Sequence, residues 1–172
     1  MNKLIDKLGS LQGIVTVLTG TVAAYISLVA IGNITDFDSN QAFVHHVLEM
    51  DTTFNDPDVM WRAIESDTLQ DIGYIGIIAF ETLTALVCIW GTVLLIKAFK
   101  SGAWGHARKV SSLGILMMLF LFGFGFIAVG GEYFSMWQSD TWNGLSAAIR
   151  NFTLGAIPLI LLQLPNKAWD DD

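Results

Sequence analysis

Two charged side chains, Glu81 and Arg150, interrupt apolar stretches of the sequence that are each long enough to cross a membrane. An ionised group in hydrocarbon costs several kcal/mol unless it is paired or hydrated, so each charge is a candidate functional or structural site. At about 1.5 Å per helical residue, Glu81 lies about 13 Å and Arg150 about 8 Å inside the outer ends of their stretches. An ion pair between the two side chains is therefore geometrically reasonable.

Three interpretations of these charges are open. A buried pair of Glu81 and Arg150 would fix the register of two helices and add little net stability. A shielded Glu81 carboxylate could instead serve a proton- or ion-linked site. In the third interpretation Arg150 faces lipid headgroups, while Glu81 is neutral or is satisfied by Thr84 or by a partner protein. Asn151 and Thr153 could complete the polar cluster.

His45, His46 and Glu49 form a second candidate site, in the segment that follows the first apolar stretch. On a helix, His45 and Glu49 are one turn apart and could share a metal ion, with Met50 or Asp51 near by. The adjacent histidines point to different faces, so packing, capping or headgroup contact is the alternative. The sequence contains no nucleophile–base pair, phosphate-binding loop or dinucleotide fingerprint, so it predicts neither an enzyme nor a bound cofactor.

Composition indicates that transmembrane helices position these residues. Of the 172 residues, 53% are hydrophobic and 15% are charged, and the mean hydropathy is +0.54. Lipid offers no partner to an open backbone, so each apolar stretch is predicted to be a helix. The predicted transmembrane helices cover residues 13–31, 72–99, 110–129 and 145–164 of a single membrane domain, 1–172. The first stretch, Leu11 to Ile31, is too long for the core of a signal peptide.

The distribution of small residues predicts how these helices pack. Hydrophobic burial gives no drive between helices in lipid, so close packing depends on small side chains. In the second stretch one helical face carries Glu81, Thr84, Cys88, Gly91 and Leu95. Small-residue stripes also occur in the other three stretches. The pattern predicts an all-α membrane protein, an antiparallel bundle of four transmembrane helices with Glu81 pointing inward.

The basic residues predict the orientation of the bundle. Seven of the nine lie in segments on one side of the membrane, namely Lys3, Lys7, Lys97, Lys100, Arg108, Lys109 and Lys167. The positive-inside rule places that side, with both termini, in the cytoplasm. The long loop 32–71 is then outer, or periplasmic. The formal net charge of −7 argues against nucleic acid as a partner.

The long outer loop between the first two transmembrane helices is predicted to be acidic and partly helical. It contains only Arg62 against nine acidic residues, namely Asp36, Asp38, Glu49, Asp51, Asp56, Asp58, Glu65, Asp67 and Asp71. Phe43, Val47 and Met50 lie at helical spacing. Asp56 followed by Pro57 is typical of a helix start and predicts a short helix over 57–65. A further start near Asp67 predicts a helix over about 68–99.

The run from His45 to Phe54, followed by Trp61-Arg62-Ala63-Ile64 and then by Tyr74, Glu81 and Thr82, resembles a known bacterial family. The family is that of predicted small integral membrane proteins classed as domain of unknown function 2165. Its most specific parts here are the His-x-x-Leu-Glu-Met-Asp-Thr run and the Trp-Arg-Ala-Ile run. The resemblance covers nearly the whole chain and implies a bacterial inner-membrane location. It supplies no activity that could be carried over to a residue.

These observations predict a non-catalytic role. The small size, the lack of catalytic motifs and the acidic outer loop are typical of an accessory or assembly subunit. Such a subunit would sit in the lipid bilayer and bind a larger membrane protein complex or form a homo-oligomer. The alternative is a small oligomeric proton- or cation-linked transporter or channel that uses Glu81, because four spans form a pore only by oligomerising. An enzyme that uses the outer His/Glu cluster is the third hypothesis.

Overall fold

The computed structural model describes residues 2–169, and the long elements in this part of the chain are helices. They are α1 (Asn2–Leu8), α2 (Leu11–Thr35), α3 (Phe37–Glu49), α4 (Asp67–Ser101), α5 (Trp104–Leu119) and α6 (Leu145–Gln163). A π-helical segment, Phe120–Tyr133, continues α5. Four helices are long and apolar enough to cross a membrane: α2, α4, α5 with the π-helical segment, and α6. The predicted all-helical membrane architecture is confirmed at this level.

Local sequence explains where several helices begin and end. The hydroxyl of Ser10 accepts a hydrogen bond of 3.1 Å from the backbone N–H of Gly13, which caps the start of α2. Gly102 follows α4 with a φ of 78°, the left-handed conformation that glycine adopts without steric cost. Met50 ends α3 in the same region, with a φ of 56°. This turn directs the chain after α3 back over the helix bundle.

The core lies where α4 packs against α2 and α5, with α6 closing the opposite side. Its centre contains Ile26 of α2, Cys88 of α4, and Ile115 and Met118 of α5, all fully buried. The predicted inward face of α4 is confirmed, since all five of its residues are buried. The second transmembrane helix therefore turns its small and polar stripe, with Glu81, toward its neighbours and its large apolar side chains outward.

The long loop between α2 and α4 is ordered around α3. Its helix over Phe37–Glu49 includes most of the segment with helical spacing, but the predicted helix over 57–65 is wrong. The carboxylate of Asp56 accepts from the backbone N–H of Asp58 at 3.0 Å and forms a turn, and only Met60–Arg62 makes a short 3₁₀ helix. The backbone N–H of Ile64 then bonds the carbonyl of Leu48 at 2.9 Å. The segment before α4 is therefore held to α3 by a backbone hydrogen bond and does not continue as a helix.

Residues 36–66 and 134–144 together form one unit, here called the outer cap. Its two segments are joined by hydrogen bonds: the hydroxyls of Thr52 and Ser139 lie 2.8 Å apart, and the side-chain oxygen of Gln138 accepts from the backbone of Phe54 at 2.9 Å. The ring of His46 stacks on that of Trp142, with centroids 4.5 Å apart and planes inclined by 15°. Hydrogen bonds and ring stacking thus hold the two segments of the cap together at one end of the bundle.

Candidate functional site

Glu81 lies inside the bundle with only 1% of its surface exposed. The side-chain amide of Asn33, near the end of α2, donates a hydrogen bond of 2.7 Å to its carboxylate. Asn33 in turn accepts a hydrogen bond of 2.8 Å from the side-chain amide of Asn40 on α3. Because Asn40 is exposed, these three side chains form a hydrogen-bonded chain from the surface to a buried carboxyl group.

The predicted ion pair between Glu81 and Arg150 does not form among residues 2–169. Arg150 is exposed on α6, whereas Glu81 faces the interior and takes its hydrogen bond from Asn33. Rotation of α6 explains the difference, because that helix turns the neighbouring residue, Asn151, inward instead. Thr153 is also exposed, and its hydroxyl donates to the carbonyl of its own helix at Ile149. The geometry excludes the ion pair and agrees with the third interpretation in that Arg150 points away, but Glu81 is bonded by Asn33 and not by Thr84.

A cavity of about 210 Å³ adjoins the Asn33–Asn40 pair. The polar side chains along it are Asn33, Asn40, Tyr74 and Asn151, contributed by α2, α3, α4 and α6. The phenol of Tyr25 donates a hydrogen bond of 2.5 Å to the side-chain oxygen of Asn151. Polar groups of four helices therefore meet in the half of the bundle that lies under the outer cap.

Beyond Glu81, toward the opposite end of the bundle, the core is mostly apolar, and the buried hydroxyls of Thr19 and Ser111 have no hydrogen-bond partner in the described residues. The hydroxyl of Thr84 donates to the carbonyl of Phe80 in its own helix, at 2.7 Å. The next described side chains in the core are those of Cys88, Ile115 and Met118. The buried carboxyl group is therefore linked by hydrogen bonds to one end of the molecule. In chemical terms, this arrangement can hold a proton or a polar ligand group that enters from the cap side.

The two histidines take separate partners. The Nε2 atom of His45 lies 2.8 Å from a carboxylate oxygen of Asp71 at the start of α4, and the amide of Gln41 donates to the same oxygen at 2.6 Å. The Nδ1 atom of His46 lies 2.7 Å from a carboxylate oxygen of Asp51. His45 therefore links α3 to α4, whereas His46 makes its contacts, with Asp51 and Trp142, inside the outer cap.

The residues that could hold a metal ion are His46, Glu49 and Asp51, whose ligand atoms all lie within 4.8 Å of one another. A nitrogen and two carboxylate oxygens suit Zn²⁺ or a similar divalent ion. The sequence placed His45 in this group, but its bond to Asp71 directs it elsewhere. The turn at Met50 brings Asp51 back beside the helix, so the third ligand comes from the chain after α3.

Sequence analysis missed Asn33, Asn40 and Asp71 as site residues. A signal for Asn33 was present, because an amide at the end of an apolar stretch must find a partner if it turns inward. Asn40 lies seven residues later, two helical turns away, but the intervening helix break hides that relationship. Asp71 was one of nine acidic residues, and only the packing of α3 on α4 distinguishes it from the others.

Comparison with known proteins agrees with this architecture. No curated protein and no solved structure matches the chain. One family model does, over nearly its whole length and including all four candidate spans. The match bears out the resemblance carried by the His45–Phe54 run, and the family description names no activity or ligand. The chain belongs to the family described as predicted small integral membrane protein (DUF2165), whose model matches residues 11–165.

Proposed function

We propose that this protein is a non-catalytic accessory subunit of the bacterial inner membrane that binds a larger membrane protein complex through its outer cap. The proposal is carried by one observation. The long loop is not an extended connection between α2 and α4. Hydrogen bonds join it to the chain that follows α5, and together they form the outer cap. Rigid presentation of a surface lowers the entropy that is lost when a partner binds it.

The orientation is part of the proposal. With seven of nine basic residues in the segments at one end, both termini lie in the cytoplasm, the four helices form an antiparallel bundle, and the cap is periplasmic. The acidic loop residues and the exposed Asp140 of the second segment then face the same compartment. This distribution gives the cap a negative potential that favours a basic partner surface.

The exposed surface of the cap has the composition of a protein interface. Phe54, Trp61 and Trp137 have 69%, 71% and 48% of their surface exposed. Phe54 packs edge-on against Trp137, with ring centroids 5.8 Å apart, and Trp61 lies similarly against Tyr133, at 6.5 Å. Aromatic side chains are enriched among the residues that dominate binding energy. The same loop also exposes acidic side chains close to Phe54 and Trp61 in the sequence, namely Asp56, Asp58 and Glu65.

Native purification in mild detergent tests this proposal. We expect the wild-type chain to elute in a stoichiometric complex, and Trp61→Ala to release the partner. Trp90→Ala is the matched control, because Trp90 is also exposed (53%) but lies on α4, within a candidate span. Charge reversal at Asp56 and Asp58 should also weaken the complex, whereas reversal of the exposed Asp6 on α1 should not. A monodisperse monomer from wild type would contradict the proposal.

A second candidate function is proton- or cation-linked transport by an oligomer. It is favoured by the hydrogen-bonded chain from exposed Asn40 through Asn33 to buried Glu81. The core beyond Glu81 is mostly apolar, and its buried hydroxyls, Thr19 and Ser111, have no hydrogen-bond partner in the described residues, so the remaining path would have to form between copies. In proteoliposomes, Glu81→Gln should then abolish a proton-dependent flux that the wild type shows. Absence of flux in wild type, or unchanged flux in the variant, would remove this candidate.

A further inference from the structure

A second cavity lies between α3, α4 and the π-helical segment, with a volume of about 310 Å³. Val47 and Leu48 on the apolar face of α3 form one wall, and Gly73 of α4 forms part of another. Phe124 of the π-helical segment also lines the cavity and has 56% of its surface exposed. The cavity therefore reaches the surface of a candidate span, where bilayer lipid would meet it.

The size and lining of this cavity fit a hydrocarbon ligand. Its side chains are apolar, and three glycines, Gly73, Gly125 and Gly130, leave room along its walls. Its volume is about twice that of the ~150 Å³ apolar cavities that stay dry and bind benzene. Left empty, such a space forfeits dispersion contacts along its whole lining. A lipid chain restores them and is present at high concentration around a membrane protein.

The amide-lined cavity described above adjoins this space. Phe43, Val44, Ile77 and Phe126 line both cavities. Asn151, which is 6% exposed, lines the amide-lined cavity but not the apolar one. Its side-chain oxygen accepts from Tyr25, and within residues 2–169 its side-chain nitrogen donates to no protein group. That nitrogen is therefore free to donate to a ligand.

We propose that the two adjoining cavities bind one membrane lipid, with a hydrocarbon chain in the apolar cavity and an uncharged carbonyl group accepting a hydrogen bond from Asn151. The side chains that line the two cavities are uncharged, which favours a neutral head over an ionised one. Lipid binding here does not depend on partner docking, because the exposed aromatic surface of the cap takes no part in it.

Photo-crosslinking tests the chain-binding half of the proposal. The probe is a monoacylglycerol with a diazirine near the end of its chain, mixed into phosphatidylethanolamine–phosphatidylglycerol liposomes that contain the protein. Mass spectrometry should find crosslinks at Val47 and Leu48 in wild type. Gly73→Leu should abolish them, because the new side chain occupies the cavity, where a Cβ at Gly73 meets its nearest atom, on Leu48, at 3.8 Å.

Gly76→Leu is the matched control, since it adds the same side chain one turn away, where a Cβ meets nothing within 4 Å. Crosslinks at Val47 and Leu48 should persist in Gly76→Leu, and those at exposed Leu86 should be equal in all three proteins. Equal crosslinking of Val47 and Leu48 in Gly73→Leu and Gly76→Leu would overturn the proposal. If Gly73→Leu is not monodisperse, Gly125→Leu fills the same cavity from the π-helical segment.

The head-binding half needs a second probe that carries the diazirine on a plain hydrocarbon without a carbonyl group. Asn151→Leu should lower crosslinking by the monoacylglycerol about threefold to tenfold, the change expected for one hydrogen bond. Crosslinking by the plain hydrocarbon should not change. A loss of the same size with both probes would show that Asn151 acts on the shape of the cavity and not on a carbonyl head.

Discussion

The side-chain amide of Asn33 donates a 2.7 Å hydrogen bond to the carboxylate of Glu81, and so joins the end of α2 to the middle of α4. The two residues are 48 positions apart in the sequence. Glu81 is buried and the described chain offers it no basic partner, so this bond is the polar contact that compensates its loss of water. The hydrogen bond forms only because α2 and α4 pack with Asn33 and Glu81 facing each other.

Removing the side chain of Asn33 or of Glu81 should destabilise the protein, and the size of each effect should depend on whether the other side chain is present. We expect Asn33→Ala to lower the free energy of unfolding by about 1–3 kcal/mol, because a buried acceptor loses its donor. The same substitution in a Glu81→Ala background should have a smaller effect, with a coupling energy of about 0.5–3 kcal/mol. Reversible unfolding by dodecyl sulfate in mixed micelles measures these values.

Arg150 provides the control for that cycle. It is exposed and shares no partner with Glu81, so the effects of Glu81→Ala and Arg150→Ala should add to within about 0.5 kcal/mol. Strong non-additivity of this second pair would restore the ion-pair interpretation and contradict the geometry described here.

The helices, and the face of α4 that turns inward, could be predicted because both are periodic properties of a single segment. The stripe of mostly small and polar residues from Glu81 to Leu95 predicts which face of α4 packs closely against other helices. The partner of Glu81 could not be predicted, because it depends on the rotation of α2 and α6 about their own axes. A rotation of about 100° per residue exchanges Arg150 for Asn151, and composition does not distinguish the two.

The outer cap shows the same limit at shorter range. The helical spacing of Phe43, Val47 and Met50 predicted a helix where α3 is found, whereas Asp56 and Pro57 predicted a helix that is not formed. Helix N-caps and turns favour the same residue types. An aspartate can cap a helix, or it can accept a hydrogen bond from the backbone two residues later and form a turn, as Asp56 does. The hydrogen bond from Ile64 to Leu48 favours the turn over the helix. It is a tertiary contact, so local sequence does not predict it.

Zinc binding should distinguish the two adjacent histidines. Ligand atoms of His46, Glu49 and Asp51 lie within 4.8 Å of one another, whereas His45 is bonded to Asp71. We expect purified wild-type protein to bind one Zn²⁺, His46→Ala to lose it, and His45→Ala to keep it. Calorimetric titration with inductively coupled plasma analysis measures the stoichiometry. Equal loss in both variants, or no zinc in wild type, would contradict the assignment.

Asp71 should control how firmly α3 is held on the bundle. Its carboxylate lies within hydrogen-bonding distance of both Gln41 and His45, and each such bond contributes about 0.5–1.5 kcal/mol. We expect Asp71→Ala to increase amide hydrogen exchange throughout α3 while leaving α5 unchanged. Asp67→Ala, at an exposed position in the first turn of the same helix, is the control. Unchanged exchange in α3 would mean that apolar packing alone holds it.

The crossing of α4 and α5 should tolerate no added methyl group at two glycines. A Cβ at Gly91 would lie 2.8 Å from the Cα of Ser111, and a Cβ at Gly114 would lie 2.9 Å from the backbone nitrogen of Cys88. Both obstacles are backbone atoms, so the helices themselves would have to separate, and we expect each alanine substitution to cost about 1–3 kcal/mol of stability. Gly76→Ala, which meets nothing within 4 Å on the same helix, should instead stabilise α4 by up to about 1 kcal/mol through helix propensity. Thermal unfolding in detergent measures all three, and a Gly91→Ala protein as stable as Gly76→Ala would show that α4 and α5 do not cross at this close distance.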